Sequence, residues 1–152
     1  MPSRPKSSGR GSAKWPLNLL LALCVVAALG LGPRLIDGFA ALAWVRYYAA
    51  QGPAEHRAGE QAERAGRAAA RAIERTAPLP SAGQAALLAL DLGRHIEPRD
   101  PAAALVLYEH VRKALDLVTA SSLRGLGLAA AAAQARDLEE AARRKLGASA
   151  AP

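Results

Sequence analysis

The chain reads as all-α, with a transmembrane helix near its N-terminal end and a small antiparallel helical-hairpin domain behind it. Three observations predict this. An uncharged apolar run, Trp15 to Pro33, follows a basic segment. Behind it, alanine and leucine recur at helical spacing between breaks marked by proline and glycine. No stretch shows the sustained apolar–polar alternation of a half-buried strand.

Residues 1–14 carry Arg4, Lys6, Arg10 and Lys14 with no acid, among Ser, Gly and Pro, and read as a disordered cytoplasmic tail. The apolar run, 15–33, holds 19 residues, with Asn18 its one strongly polar side chain. As a helix it is about 28 Å long, close to the ~30 Å hydrocarbon core of a bilayer. Its seven leucines and two valines each favour insertion by roughly 0.3–0.6 kcal/mol, and no charge opposes them. A backbone in lipid must satisfy its own hydrogen bonds, so a single span is a helix. Four basic residues precede the run, whereas only Arg34 and Arg46, with Asp37 between them, fall in the 17 residues after it. The positive-inside rule puts the N-terminus in the cytoplasm and residues 35–152 across the membrane. Sixteen arginines to four lysines, with abundant Ala, Gly and Leu, suit a GC-rich bacterial genome. The expected location is therefore the inner (plasma) membrane, single-pass, with a periplasmic or extracellular domain.

Two cleaved alternatives compete with a retained anchor. A secretory signal needs a shorter apolar core, and the best small-x-small site, Ala41-Leu42-Ala43, lies beyond Pro33, Arg34 and Asp37. Leu21-Ala22-Leu23-Cys24 resembles a lipobox, but Leu23 stands where a small residue belongs and Val25-Val26 prolong the apolar run. Cys24 reads instead as a small apolar residue facing lipid.

Residues 34–53 form a juxtamembrane segment. Pro33 is expected to kink or end the first helix, with Leu35–Ala50 resuming through apolar positions 35, 36, 39, 42 and 45. Trp44, Tyr47 and Tyr48 gather beside Arg46; with Trp15 they are candidate membrane-interface residues, although the same rings could pack into the domain. Gln51-Gly52-Pro53 is a break.

The helical domain covers 54–146. Ala54–Thr76 reads as a charged helix, with Glu60/Arg64 and Glu63/Arg67 in the favourable i,i+4 order and a shallow stripe of Ala58, Ala62, Ala65, Ala69, Ala72 and Ile73. Pro78-Leu79-Pro80 ends it. Ser81 with Gln84 is a capping-box pattern for a helix over 82–96, with Ala85, Leu88, Leu92 and Ile96 on one face. Asp100-Pro101 supplies an N-cap and first-turn proline for a helix to about Val118. Its apolar side is Ala104, Leu107, Tyr108, Val111, Leu115 and Val118, with Glu109, Arg112, Lys113 and Asp116 opposite. Thr119–Ser122 restarts a helix through Leu123, Leu126, Leu128 and the following alanines. Asp137 with Glu140 is a second capping-box pattern, opening a last helix to about Leu146; residues 147–152 read as a disordered tail.

The net charge of +7 is mostly topogenic. Beyond Arg34 there are fifteen basic and thirteen acidic side chains, a net of +2, and after Tyr48 the one aromatic is Tyr108. Nucleic-acid binding, which wants basic residues interleaved with stacking rings, is not expected. No cysteine follows Cys24, so the domain has no internal disulfide. Its core is alanine-rich and buries little area per residue, which favours help from a partner or from a second copy. The histidines, 56, 95 and 110, have no metal-ligand spacing and no cysteine to join them, and read as surface residues, with His95 near a helix end where carbonyls are exposed and His110 on the polar side of its helix. Carboxylates pair with arginines at helical spacing; Gly30-Leu-Gly32 and Gly125-Leu-Gly127 lack the strand–loop–helix setting of a phosphate loop. No catalytic residue, metal or cofactor is expected, so the chain is not read as an enzyme.

Arg99-Asp100 recurs as Arg136-Asp137, 37 residues later, each placed to open a helix after an alanine- and leucine-rich one. Asp100-Pro-Ala-Ala-Ala-Leu-Val-Leu-Tyr-Glu-His-Val and Leu126-Gly-Leu-Ala-Ala-Ala-Ala-Ala-Gln-Ala-Arg-Asp resemble tetratricopeptide repeats, over about 81–146. The resemblance places Ala104 and Tyr108 where that family has a small residue and an aromatic one turn later in its second helix. Leu128 with Ala129 resembles its first-helix pair. Leu88, Leu92 and Val111 complete the expected repeat packing. Residues 35–50 and 54–76 could form a degenerate third hairpin, and a plain antiparallel bundle fits the same pattern. The resemblance implies a protein-binding domain whose concave face draws on 85–95 and 123–134. The expected function is a membrane-anchored assembly or accessory factor for a bacterial envelope complex, with the bilayer and other envelope or membrane proteins as partners. The alternative is a non-catalytic structural subunit whose helix is integrated into a larger membrane complex.

Overall fold

The computed structural model describes residues 14–53, 57–120 and 127–149, with side chains from 19 to 148. Among them are five helices and no strand: α1 (Lys14–Gln51), α2 (Ala58–Thr76), α3 (Pro80–Ile96), α4 (Pro101–Thr119) and α5 (Ala129–Ser149). The chain divides into two units, one up to Pro33 and one from Arg34.

In the first unit every described side chain from Leu19 to Leu31 is exposed, including Leu29 at 73% and Val26 at 70%. By length and composition α1 can cross a membrane, with a mean hydropathy of 2.2 over its most apolar window. Helix α1 continues past Pro33, so of the two expected effects, a kink or an end, the end does not occur. Proline removes one N–H and crowds one carbonyl, a local cost of ~3 kcal/mol that the helical residues on both sides outweigh.

The second unit includes residues 34–53, so the expected juxtamembrane segment is part of the domain. There α1 buries Gly38, Ala41, Leu42 and Val45 and leaves Ile36, Phe39, Trp44 and Tyr47 exposed. Of the expected apolar stripe only 42 and 45 are fully buried, because the small residues Gly38 and Ala41 face α2 where the backbones come close. A Cβ on Gly38 would stand 2.5 Å from Thr76 Cγ2. Gln61, buried on α2, donates from Nε2 to the Gly52 carbonyl at 2.6 Å, tying down the end of α1. The pairs 38/76 and 48/61 make α1 and α2 antiparallel.

Short connections fold α3 back on α2 and α4 back on α3. Helix α2 ends at Thr76, as the prolines require, but α3 begins at Pro80 rather than 82. The expected capping box is not formed: Pro80, with φ preset for a first turn, starts the helix, no side chain caps it, and the buried Ser81 Oγ has no partner. At α4 the expectation holds, with the Asp100 carboxylate accepting the Ala103 N–H at 2.9 Å. Expected core positions Leu92, Ala104, Tyr108, Val111 and Leu128 are buried and Leu88 is half-buried against the core, but Ala129 is exposed. On α5 the inward face falls instead on Ala131, Ala132 and Ala135.

The second hairpin expected over 123–146 is not formed where described. Arg136-Asp137 lies inside α5, which continues to Ser149, so 147–149 is helical too. Five successive alanines have the highest helix propensity, and no glycine or proline interrupts them before position 147. Of the acids that suggested a cap, Glu140 pairs instead with Arg144 at 2.7 Å, one turn along the same helix. Arg112 pairs with Glu139, Arg136 with Asp116 at 2.6 Å and Arg143 with Glu109 at 2.9 Å, three rungs that set α5 antiparallel to α4. The expected tails over 1–13 and 150–152, the start of the helix expected from Ala54, and the helix expected through Leu123 and Leu126 lie outside the described residues.

Two layers result. Helices α2 and α4 pack together in one; α3 contacts α5 in the other, where Arg46 of α1 also donates to Gln84 of α3 at 2.7 Å. Between layers α2 meets α3, and α4 meets both α3 and α5. Alanine supplies more than half of the buried apolar residues. This thin core works because the helices approach closely: a Cβ at Gly93 would lie 2.3 Å from the Tyr108 ring, and one at Gly66 2.9 Å from the His110 ring.

Candidate functional site

Within the domain unit, a groove runs along the seam of α1 and α2. Trp44 and Tyr48 recur four residues apart, one helical turn, and stack with centroids 6.0 Å apart at 29°. Tyr47 meets each edge-on at 5.6 Å. Tyr48 is half-buried and packed on the core, whereas Trp44 and Tyr47 are 56% and 50% exposed. Tyr48 thus packs on the domain core, and Trp44 and Tyr47 lie on its surface. The side chain of Trp15, the fourth residue in that expectation, lies outside the described ones.

Facing the rings, α2 presents Arg64, Arg67 and Arg71 at i, i+3 and i+7, the spacing of one helix face. With Asp37, Trp44, Tyr48 and the small residues Ala40, Ala41 and Ala68 they line a groove of about 390 Å³. Arg64 pairs with Glu60, and Arg67 donates from Nε to Glu63 at 2.7 Å, as the i,i+4 spacing predicts. Arg71 stands 3.9 Å and Arg75 3.5 Å from Asp37. Arg34 donates to the Glu74 carbonyl at 3.2 Å. The groove walls therefore carry three guanidiniums and one carboxylate, with most of each arginine in solvent. Sequence reading identified the rings but not the groove, because Trp44 and Arg67 belong to different helices and only antiparallel packing joins them.

The histidines split. His95 Nδ1 sits 2.8 Å from the Asp91 carbonyl oxygen, the carbonyl contact expected near a helix end. His110, read as a surface residue, is half-buried: its ring packs on Gly66 and Nε2 lies 3.2 Å from Glu63. The hydrogen bond from Arg67 first, then the one with His110, holds the Glu63 carboxyl below its ordinary range. His56 is outside the described residues. At the α3–α4 contact the buried Tyr108 hydroxyl donates to Glu97 at 3.0 Å, and Lys145 also pairs with Glu97. Burial above all, then the neighbouring carboxylate, pushes the phenol well above its ordinary value, so it stays protonated.

Among the described residues no group of three or more His, Cys, Asp or Glu side chains could hold a metal ion. Cys24 is exposed on α1. The groove is cationic, aromatic and shallow. No protein-family model matches the chain, and neither curated proteins nor solved structures show a match.

Proposed function

We propose that this chain is a non-catalytic, single-pass membrane protein whose tetratricopeptide-like domain binds other proteins, as an assembly or accessory factor for a bacterial envelope complex. The observation that carries this reading is the hairpin stack. The α1–α2 and α3–α4 hairpins pack with α2 against α4, and α5 stands where the first helix of a further hairpin would. The α3–α4 hairpin keeps the register expected from Arg99-Asp100, α5 stands in place of the second expected unit, and the degenerate hairpin over 35–76 is read as the first unit. In such stacks ligands bind the face built from the first helix of each pair, here α1, α3 and α5. On α3 that face offers Leu87, 54% exposed, beside Asp91.

The test is site-specific photo-crosslinking from Leu87 in the full-length protein in native membranes. A discrete adduct, lost when Asp91 is changed to lysine with the crosslinker still at position 87, is expected. Crosslinks to lipid alone, or a reporter behind Pro152 active only in the cytosol, would overturn the reading. A structural subunit is the second reading, favoured by one observation: a Cβ at Gly30 or Gly32 meets nothing within 4 Å, so no packing among the described residues needs those glycines. Another protein's helix could use them for close approach. Replacing 17–32 by an unrelated apolar helix separates the two, since a tethered binder keeps its function and an embedded subunit loses it.

A further inference from the structure

The groove between α1 and α2 has three properties that ordinary helix packing does not require together. Three guanidiniums line it, Arg64, Arg67 and Arg71, with Asp37 the one lining carboxylate and Glu60 and Glu63 pairing with the first two from outside the lining. The arginine side chains are 63%, 72% and 65% exposed, so donors remain for a ligand even where carboxylates engage part of each fork. Arg71 is the least satisfied, with Asp37 no nearer than 3.9 Å. Opposite stand Trp44 and Tyr48, rings whose apolar bodies and polar tips suit the boundary between lipid and water. Finally, Asp37, at the Arg71 end of the groove, follows Pro33 by four residues. Even a fully extended chain of that length spans at most about 14 Å. With the apolar segment in lipid, that end is within reach of the headgroup layer.

We propose that this groove binds the phosphate of an anionic phospholipid in the leaflet the domain faces. Arg64, Arg67 and Arg71 hold phosphate oxygens, for which the planar guanidinium fork is the matched donor. Trp44 and Tyr48, further from Pro33 along α1 than Asp37, flank the headgroup on the side away from the acyl chains. The nearness of the Asp37 end to the apolar segment decides for a lipid over a soluble phosphate ester, which would need no membrane beside the groove. The proposal rests on the reading of α1 as membrane-inserted.

Full-length protein is reconstituted into nanodiscs of phosphatidylcholine, with or without phosphatidylglycerol, and insertion is scored by resistance to alkaline extraction. The same protein in detergent is then titrated with each lipid and followed by native mass spectrometry. One phosphatidylglycerol per chain, bound at least tenfold tighter than phosphatidylcholine, is expected. Arg64→Gln/Arg67→Gln/Arg71→Gln removes that preference at unchanged helicity. Should the triple variant not fold, Arg71→Gln alone, which breaks no close ion pair, weakens binding at least threefold. Full insertion with equal binding of the two lipids overturns the site and leaves the anchor standing; failure to insert overturns both. Glycerol 3-phosphate binding as tightly as phosphatidylglycerol would assign the groove to a free phosphate, and a glutamate-rich peptide displacing the lipid would assign it to a partner's acidic segment. Either result overturns the proposal.

Discussion

Gly93→Ala is the sharpest test of how this alanine-rich domain holds together. The new Cβ would stand 2.3 Å from Tyr108 Cε1, 2.9 Å from Cζ and 3.0 Å from Cδ1, against about 3.5–4.0 Å for carbon atoms in contact. The ring must therefore move by about 1 Å. It is fully buried, and its hydroxyl is committed to Glu97 at 3.0 Å, so any such shift strains or breaks that bond. Overpacking costs roughly 1–3 kcal/mol, and a hydrogen bond to a charged group contributes about 1.5–3. Alanine returns about 1 kcal/mol of helix propensity at a position interior to α3. The net expectation is a loss of about 2–4 kcal/mol. Gly83→Ala is the control: its Cβ meets only Leu128 Cδ2 at 3.6 Å, ordinary contact, so the propensity gain survives as about 1 kcal/mol of added stability. Urea unfolding of the full-length protein in detergent, followed by circular dichroism at 222 nm, reads both. The double variant Gly93→Ala/Tyr108→Leu should lose less than the two single losses added together, because the shorter side chain vacates the collision. A neutral or stabilising Gly93→Ala would refute the claim that α3 and α4 meet through this glycine.

Arg112→Met leaves the buried Glu139 to Arg143 alone and should cost about 1–3 kcal/mol, with amide exchange rising first in α5. Asp116 has its carboxyl held below the ordinary value of 3.8, first by the hydrogen bond from Arg136, while Glu63 lies below 4.5 mainly through Arg67. A depressed carboxylate contributes stability that is complete above its unfolded value and lost as pH falls through the folded one. Unfolding midpoints should therefore hold down to about pH 5 and then drop, and Asp116→Asn should flatten part of that acid limb. Asp100→Ala removes the cap on Ala103 N–H and should lower stability by about 1 kcal/mol, with Asp100→Ser recovering most of it in the same urea titration.

Much of the helical framework was legible from local signals. The stop at Thr76, the cap at Asp100 and the six-residue core stripe of α4 follow from proline geometry, side-chain capping and the 3.6-residue period. The misreadings share a cause. Asp137 and Glu140 match a capping pattern, yet nothing nearby stops a helix that begins in an alanine run. Ser81 matches another, but Pro80 starts the helix before it. His110 looked like a surface residue because periodicity marks only one partner's face, while α2 covers a second face of α4 through Gly66.

The apolar rod, the all-helical class and most helix ends are properties of residues within one or two turns of each other, so composition and spacing determined them. Which faces meet is set by pairings across the chain: Gly38 with Thr76, Gly93 with Tyr108, Asp116 with Arg136, Trp44 beside Arg67. These depend on the summed fit of whole helices, in which a missing Cβ counts as much as a leucine, and only the folded arrangement decides them.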